Sequence, residues 1–138
     1  MRILLIAVFL AFHSVVFAFT GLVVKITDGD TIQVLHDGKH ERIRLVGIDC
    51  PERGEPYSEQ ATQLTSDLAA NQTVTIRPET TDRYGRTVAA VILPDGRDLS
   101  QELLRAGMAI WYQKYSTDTE LRDIEAAAKA RHLGIWNH

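Results

Sequence analysis

Apolar and polar residues alternate along the early part of the chain and give way to helical spacing later. Leu22, Val24 and Ile26 share one face of a strand over 22–27. A second strand over 31–35 turns Ile32 and Val34 inward, and a third over 40–48 puts Ile43 and Leu45 on one face. Side chains alternate across a strand, so Arg44 points away from that pair. Asp28-Gly29 and Asp37-Gly38 mark the turns between these runs. Ala61, Leu64 and Leu68 then recur at helical spacing, with Ser58 as the expected cap and Asn71 as the stop. A fourth strand over 73–77 is rich in β-branched residues. A fifth over 87–93 is apolar on both faces, and a third Asp-Gly turn follows at Asp95-Gly96.

The remainder reads as two helices. Asp98 to Ala106 forms the first, ended by Gly107. Thr117-Asp118-Thr119-Glu120 reads as a capping box opening the second, which runs to about His132 with Leu121, Ile124 and Ala128 on its buried stripe. Gly134 ends it, and Ile135 and Trp136 pack back on the domain. Five short strands with one interposed helix and a helical tail predict an α+β, mainly β, fold. Its expected form is a five-stranded OB-fold barrel with three helices.

The first eighteen residues stand apart. Arg2 precedes an apolar stretch from Ile3 to Phe17, broken only by His13 and Ser14, and Val16-Phe17-Ala18 suits cleavage after Ala18. The stretch is shorter than the ~20 residues that span a bilayer. We therefore expect a signal peptide over 1–18 and one domain over 19–138. The product would be periplasmic or secreted, without stable membrane association, and a monomer.

Without Arg2 the chain carries 14 basic and 18 acidic residues, a formal charge of −4. That balance counts against a high-affinity nucleic-acid binder, which usually has a basic face. It leaves room for an enzyme that grips one or two phosphates and lets go. Cys50 is the single cysteine, so no internal disulfide forms. His36, His40, His132 and His138 make no zinc-like cluster with it.

Three short runs carry the chemistry. In Asp28-Gly29-Asp30-Thr31 a turn needs only the first acid, so Asp30 is a surplus carboxylate at a strand start. Position 32 is Ile, which excludes an EF-hand loop. Arg44 lies between apolar neighbours and needs either an ion pair with Asp49, Glu41 or Glu52, or a phosphate for its planar fork. In Asp49-Cys50-Pro51-Glu52 the proline biases the chain toward an extended shape, which can leave carbonyl oxygens free for a hard cation. Glu52 is then a base for an attacking water, an outer-shell ligand of the cation, or part of a solvated acidic loop. In Asp82-Arg83-Tyr84-Gly85-Arg86, Arg86 could offset charge on a pentavalent phosphorus and Tyr84 could stack a base. Oxygen ligands, a spare carboxylate and two arginines suit metal-assisted cleavage of a phosphodiester.

These three motifs, in this order, resemble the staphylococcal nuclease family, and the resemblance extends to Gly134-Ile135-Trp136. It implies the five-stranded barrel and Ca²⁺-dependent hydrolysis of DNA and RNA that leaves 3′-phosphate ends. It also implies that Asp30, Asp49 and the backbone carbonyl of Cys50 hold Ca²⁺. Arg44 and Arg86 would hold the scissile phosphate, Tyr84 would contact substrate, and Glu52 would be the general base. The chain departs from the family's pattern in having Cys50 where Thr or Ala is frequent, and in a short loop from Arg53 to Tyr57. Trp111, Tyr112 and Tyr115 do not align with the family's nucleotide-flanking tyrosines. The acidic net charge implies weaker, salt-sensitive substrate capture. A catalytically inactive barrel that binds nucleic acid or protein, and a Ca²⁺-binding structural domain, are the competing readings. Neither gives both arginines employment beside three acids.

Overall fold

The computed structural model describes residues 17–114 and 116–138, so residues 1–16 of the expected 1–18 leader, and Tyr115, lie outside the described residues. Strands β1 (Phe19–Asp28), β2 (Thr31–His36) and β3 (Lys39–Leu45) form an antiparallel meander. A two-residue strand β4 (Ile48–Asp49) and helix α1 (Ser58–Ala69) follow. Next come β5 (Thr73–Thr81), β6 (Thr87–Ile92), helix α2 (Leu99–Arg105), a short β7 (Ile110–Trp111), helix α3 (Thr119–Ala130) and a 3₁₀ turn at Gly134–Trp136. Five strands close a barrel in the order β1-β2-β3-β6-β5. The expected α+β barrel with three helices is the observed fold.

Closure comes from a parallel pairing between β3 and β6, with Ile43, Leu45 and their neighbour Arg44 opposite Thr87, Ala89 and Val88. Ile32, Val34, Ile43, Leu45, Ile76 and Val91 fill the barrel and are fully buried. Leu99, Leu103 and Leu104 of α2 extend that core under α3.

Four local expectations change. In β1 the buried residue is Val23, while Leu22 and Val24 are each 40% exposed. A register shift between Val23 and Lys25 flips the phase, so that Val23 and Ile26 both reach the core; a bulge has this effect on a period-two pattern. The third strand does not run through 48. It breaks at Val46-Gly47, where Gly47 has φ +77°, and Ile48–Asp49 pairs instead with β7. Ser58 does not cap α1: the cap position is Tyr57, in left-handed geometry at φ 69°, and no side chain caps it. In α3 the cap is Asp118, whose carboxylate accepts from the Glu120 amide, rather than Thr117.

The tail is locked by two glycines placed back to back. Gly107 and Gly134 both have positive φ, and a Cβ on either would collide with the backbone of the other's segment. The Ile135 amide donates to the Gly107 carbonyl at 2.9 Å. Gly107→Ala therefore combines left-handed strain with a backbone clash. It should lower unfolding free energy by about 2 kcal/mol or more, read as a shift of the urea midpoint.

Candidate active site

One end of the barrel gathers the three motifs. Asp30 opens β2 and is 7% exposed. Its Oδ2 accepts the Cys50 amide at 2.8 Å and lies 3.4 Å from Arg44 Nη2. Its Oδ1 accepts the Thr31 hydroxyl at 3.3 Å. Arg44, opposite Thr31 in the β2–β3 ladder, also reaches Asp49 Oδ1 at 3.2 Å and gives Nη1 to the Leu45 carbonyl at 2.9 Å. Of the ion-pair partners considered for Arg44, Asp49 is thus realised, and Asp30 is added.

The second arginine arrives from the turn before β6. Arg86 donates Nε to Asp82 Oδ2 at 2.7 Å and Nη1 to the Thr31 hydroxyl at 3.2 Å. Burial pushes the Asp82 carboxyl up, but hydrogen bonds from the Arg86 amide and guanidinium and from the Tyr84 amide outweigh it and hold it below its usual range. A continuous chain of polar contacts therefore runs from Arg86 through Thr31 and Asp30 to Arg44 and Asp49. Tyr84 is 57% exposed, with the Arg83 and Arg86 guanidiniums 4.9 and 5.5 Å from its ring centre. Arg83 also donates to its hydroxyl, and Arg42 to its carbonyl.

Glu52 is exposed, and its amide donates to Glu55 Oε1 at 2.9 Å, so the short acidic loop is held by its own side chain. The Cys50 thiol faces inward. Burial pushes its pKa far up, and the nearby Asp30 carboxylate adds to this. A Cβ added to Gly29 would lie 2.9 Å from Cys50 Sγ, so the thiol is packing rather than a nucleophile. Among the aromatics after Gly107, Trp111 is half-buried against the core, and its indole N–H finds no partner among the described residues.

Sequence reasoning passed over three contributors. Thr31 links Arg86 to Asp30, and so to Arg44, through one hydroxyl, a role visible only once β2, β3 and β6 meet. Glu125, 8% exposed, accepts the Trp111 amide at 2.6 Å and pairs with Lys129 at 3.1 Å. It thereby holds β7, the strand on which Asp49 leans. Asp28 accepts the Asp30 amide at 3.2 Å. The sequence signal for it is the Asp-x-Asp spacing itself, read above as a turn.

The donors at this end are carboxylate and carbonyl oxygens, the chemistry of a hard cation rather than of zinc. Among the described residues, no three acidic, histidine or cysteine side chains converge as a cage. A cation held by Asp30, Asp49 and the Cys50 carbonyl would complete its shell with water. Charge crowding favours such an ion. Burial, then the neighbouring Asp30 carboxylate, push Asp28 up to about 6. Burial likewise raises Asp49 against the opposing pull of Arg44.

A carboxyl with a raised folded-state pKa binds its proton more tightly folded than unfolded. Its contribution to stability is present below the unfolded value and is lost as pH rises through the folded one. Metal-free protein should thus lose stability between about pH 4 and 6 through Asp28, and Asp28→Asn should flatten that part of the profile. Urea midpoints taken across this range check it; parallel profiles for the two proteins would refute it.

Comparison with known proteins agrees with this geometry. A family described as "Staphylococcal nuclease homologue" matches residues 42–138. The chain is 41% identical over 117 residues to an uncharacterized endonuclease of Escherichia coli O157:H7, covering 85% of this chain and 76% of the relative. It is 36% identical over 129 residues to a micrococcal nuclease of Shigella flexneri, covering 86% and 74%. A thermonuclease of Staphylococcus intermedius is 38% identical over 127 residues, covering 83% and 74%. With the barrel, the ordered motifs and these relatives in agreement, the chain belongs to the staphylococcal nuclease family.

Proposed function

We propose that this nuclease is an exported, Ca²⁺-dependent phosphodiesterase that hydrolyses DNA and RNA and leaves 3′-phosphate ends. The observation that carries the reading is the joining of Arg44 and Arg86 through Thr31 and Asp30 at one barrel end, beside a surplus of carboxylates. Nuclease relatives support the reaction class. Export rests on the apolar leader, expected to be cleaved after Ala18.

Arg44 and Arg86 would hold the two non-bridging oxygens of the scissile phosphate. Arg86 keeps Nη2 clear of the Asp82 and Thr31 contacts, so it can engage without breaking them. Arg44 would share its nitrogens between phosphate and the two acids it already meets. Asp30, Asp49 and the Cys50 carbonyl would hold Ca²⁺, whose positive charge would orient water and offset that of the phosphate. Glu52 takes the proton as the water oxygen bonds to phosphorus. The bond to the 5′ oxygen breaks, and that oxygen gains a proton. Positioning and charge stabilisation supply most of the acceleration.

The binding-module reading has no observation in its favour, since both arginines are tied to acids at one barrel end and the net charge is acidic. Hydrolysis of DNA and RNA with millimolar Ca²⁺, and its loss in a chelator, tests the reading. A folded protein inactive on every nucleic acid would end it. Glu52→Gln and Arg86→Ala should each lower kcat about 100-fold or more while circular dichroism stays native. A wild-type rate in either removes that residue from the mechanism. Cys50→Thr should retain activity within a few-fold, because the proposed ligand is the carbonyl. A folded but dead Cys50→Thr would assign the thiol a part.

A further inference from the structure

A cavity of about 320 Å³ adjoins the site and shares Asp49, Cys50 and Glu52 with it. Its rim is Asp49, Glu52 and Glu55, and its walls include Tyr57, Ile110 and Ile135. Ile110 stands directly opposite Asp49 in the β4–β7 ladder, so the cavity begins one strand spacing from a candidate metal ligand. The volume is at the low end of the roughly 300–1,000 Å³ typical of small-molecule sites.

Tyr57 makes this space unusual. It sits at the cap of α1 with φ 69°, a geometry that Gly or Asn adopts freely and an aromatic residue does not. Its hydroxyl makes no hydrogen bond to another described residue. The ring is therefore held at the wall by a strained backbone, without a polar anchor of its own. Strain of this kind collects at ligand sites.

The occupant follows from charge and shape. Among the described residues, the lining holds no basic side chain to receive a phosphate within the cavity itself, and its three carboxylates are acceptors. They accept hydrogen bonds from neutral N–H donors, and Glu55 has spent one oxygen on the Glu52 amide and retains the other. A flat apolar wall with an aromatic ring suits a planar heterocycle. Asp49 and Glu52 also belong to the proposed phosphate end, so a group attached to a phosphate held there is within reach of the cavity. On the nuclease reading above, we propose that this cavity is the subsite for the nucleobase adjoining the scissile phosphate. Tyr57 is its stacking surface, and Glu55 is the acceptor for the base's N–H groups.

The test is a cycle between a ring and a base. Short oligonucleotides with one cleavable bond are prepared intact, and with an abasic residue on one side of the bond or the other. They are cleaved by wild type, Tyr57→Asn and Tyr57→Phe in Ca²⁺. Asn accepts the left-handed backbone, so its variant tests the ring without adding strain. Wild type should lose about tenfold in kcat/KM, mainly through KM, when one of the two bases is missing, the weak end of what base–aromatic stacking supplies. Tyr57→Asn should lose a similar factor on the intact strand and show no further loss on the abasic one, whereas Tyr57→Phe should behave as wild type. Equal cleavage of intact and abasic strands by wild type would overturn the subsite and leave the nuclease reading standing. A full abasic penalty surviving in Tyr57→Asn would do the same. Failure of wild type to cleave any of the strands would overturn both. Should Tyr57→Asn not fold, the wild-type comparison alone decides.

Discussion

The buried carboxylate of Asp30 is the contact on which the rest of the site depends. One oxygen ties the Cys50 amide and faces Arg44, the other receives Thr31, and its backbone carbonyl accepts the Leu45 amide at 2.9 Å. The end of β3 at Arg44-Leu45 and the loop at Cys50 are thereby fixed against this one residue. A carboxylate 7% exposed is costly unless it is paired and hydrogen-bonded. Here Arg44 and the donors offset that cost, and each partner is itself a site residue. Remove the acid and Arg44 is left buried beside Asp49 alone, with the Cys50 amide unpaired. Stability and chemistry cannot be separated at this position.

The support reaches outward by ordinary backbone means. Gly47 turns the chain out of β3, and the space beside it is taken by Leu121 of α3. That break allows Ile48–Asp49 to leave the barrel and pair with β7, while Glu125 holds β7 from the helix side. The acidic loop from Glu52 to Glu55 closes on itself through paired hydrogen bonds before α1 begins. Helix α3 thus acts on the site through the short strand and loop, while α1 also reaches it directly, its Thr65 hydroxyl donating to the Gly29 carbonyl at 2.6 Å between Asp28 and Asp30.

Much of this was legible in the sequence, for identifiable reasons. The barrel was readable because strand periodicity and Asp-Gly turns are local, and the site because three charged runs stand in a distinctive order. Val23 was misread because a bulge shifts phase without any residue that signals it. Ser58 was misread because Tyr57 takes a left-handed cap that propensity assigns to Gly or Asn. Thr31 and Glu125 were invisible as contributors, since each acts through one hydrogen bond to a residue far along the chain or on another element. Local chemistry can be read from spacing; contacts made by tertiary closure cannot.

The parallel seam between β3 and β6 carries a biological consequence. Arg44 and Arg86 lie about half a barrel apart in sequence and meet only when Ile43, Arg44 and Leu45 pair with Thr87, Val88 and Ala89. Non-local parallel pairings form slowly, because loop closure must precede the contacts that reward it. A nascent or partly unfolded chain carries every charged group of the site and no site. The candidate site is therefore a product of barrel closure and does not exist in a chain whose β3 and β6 are unpaired.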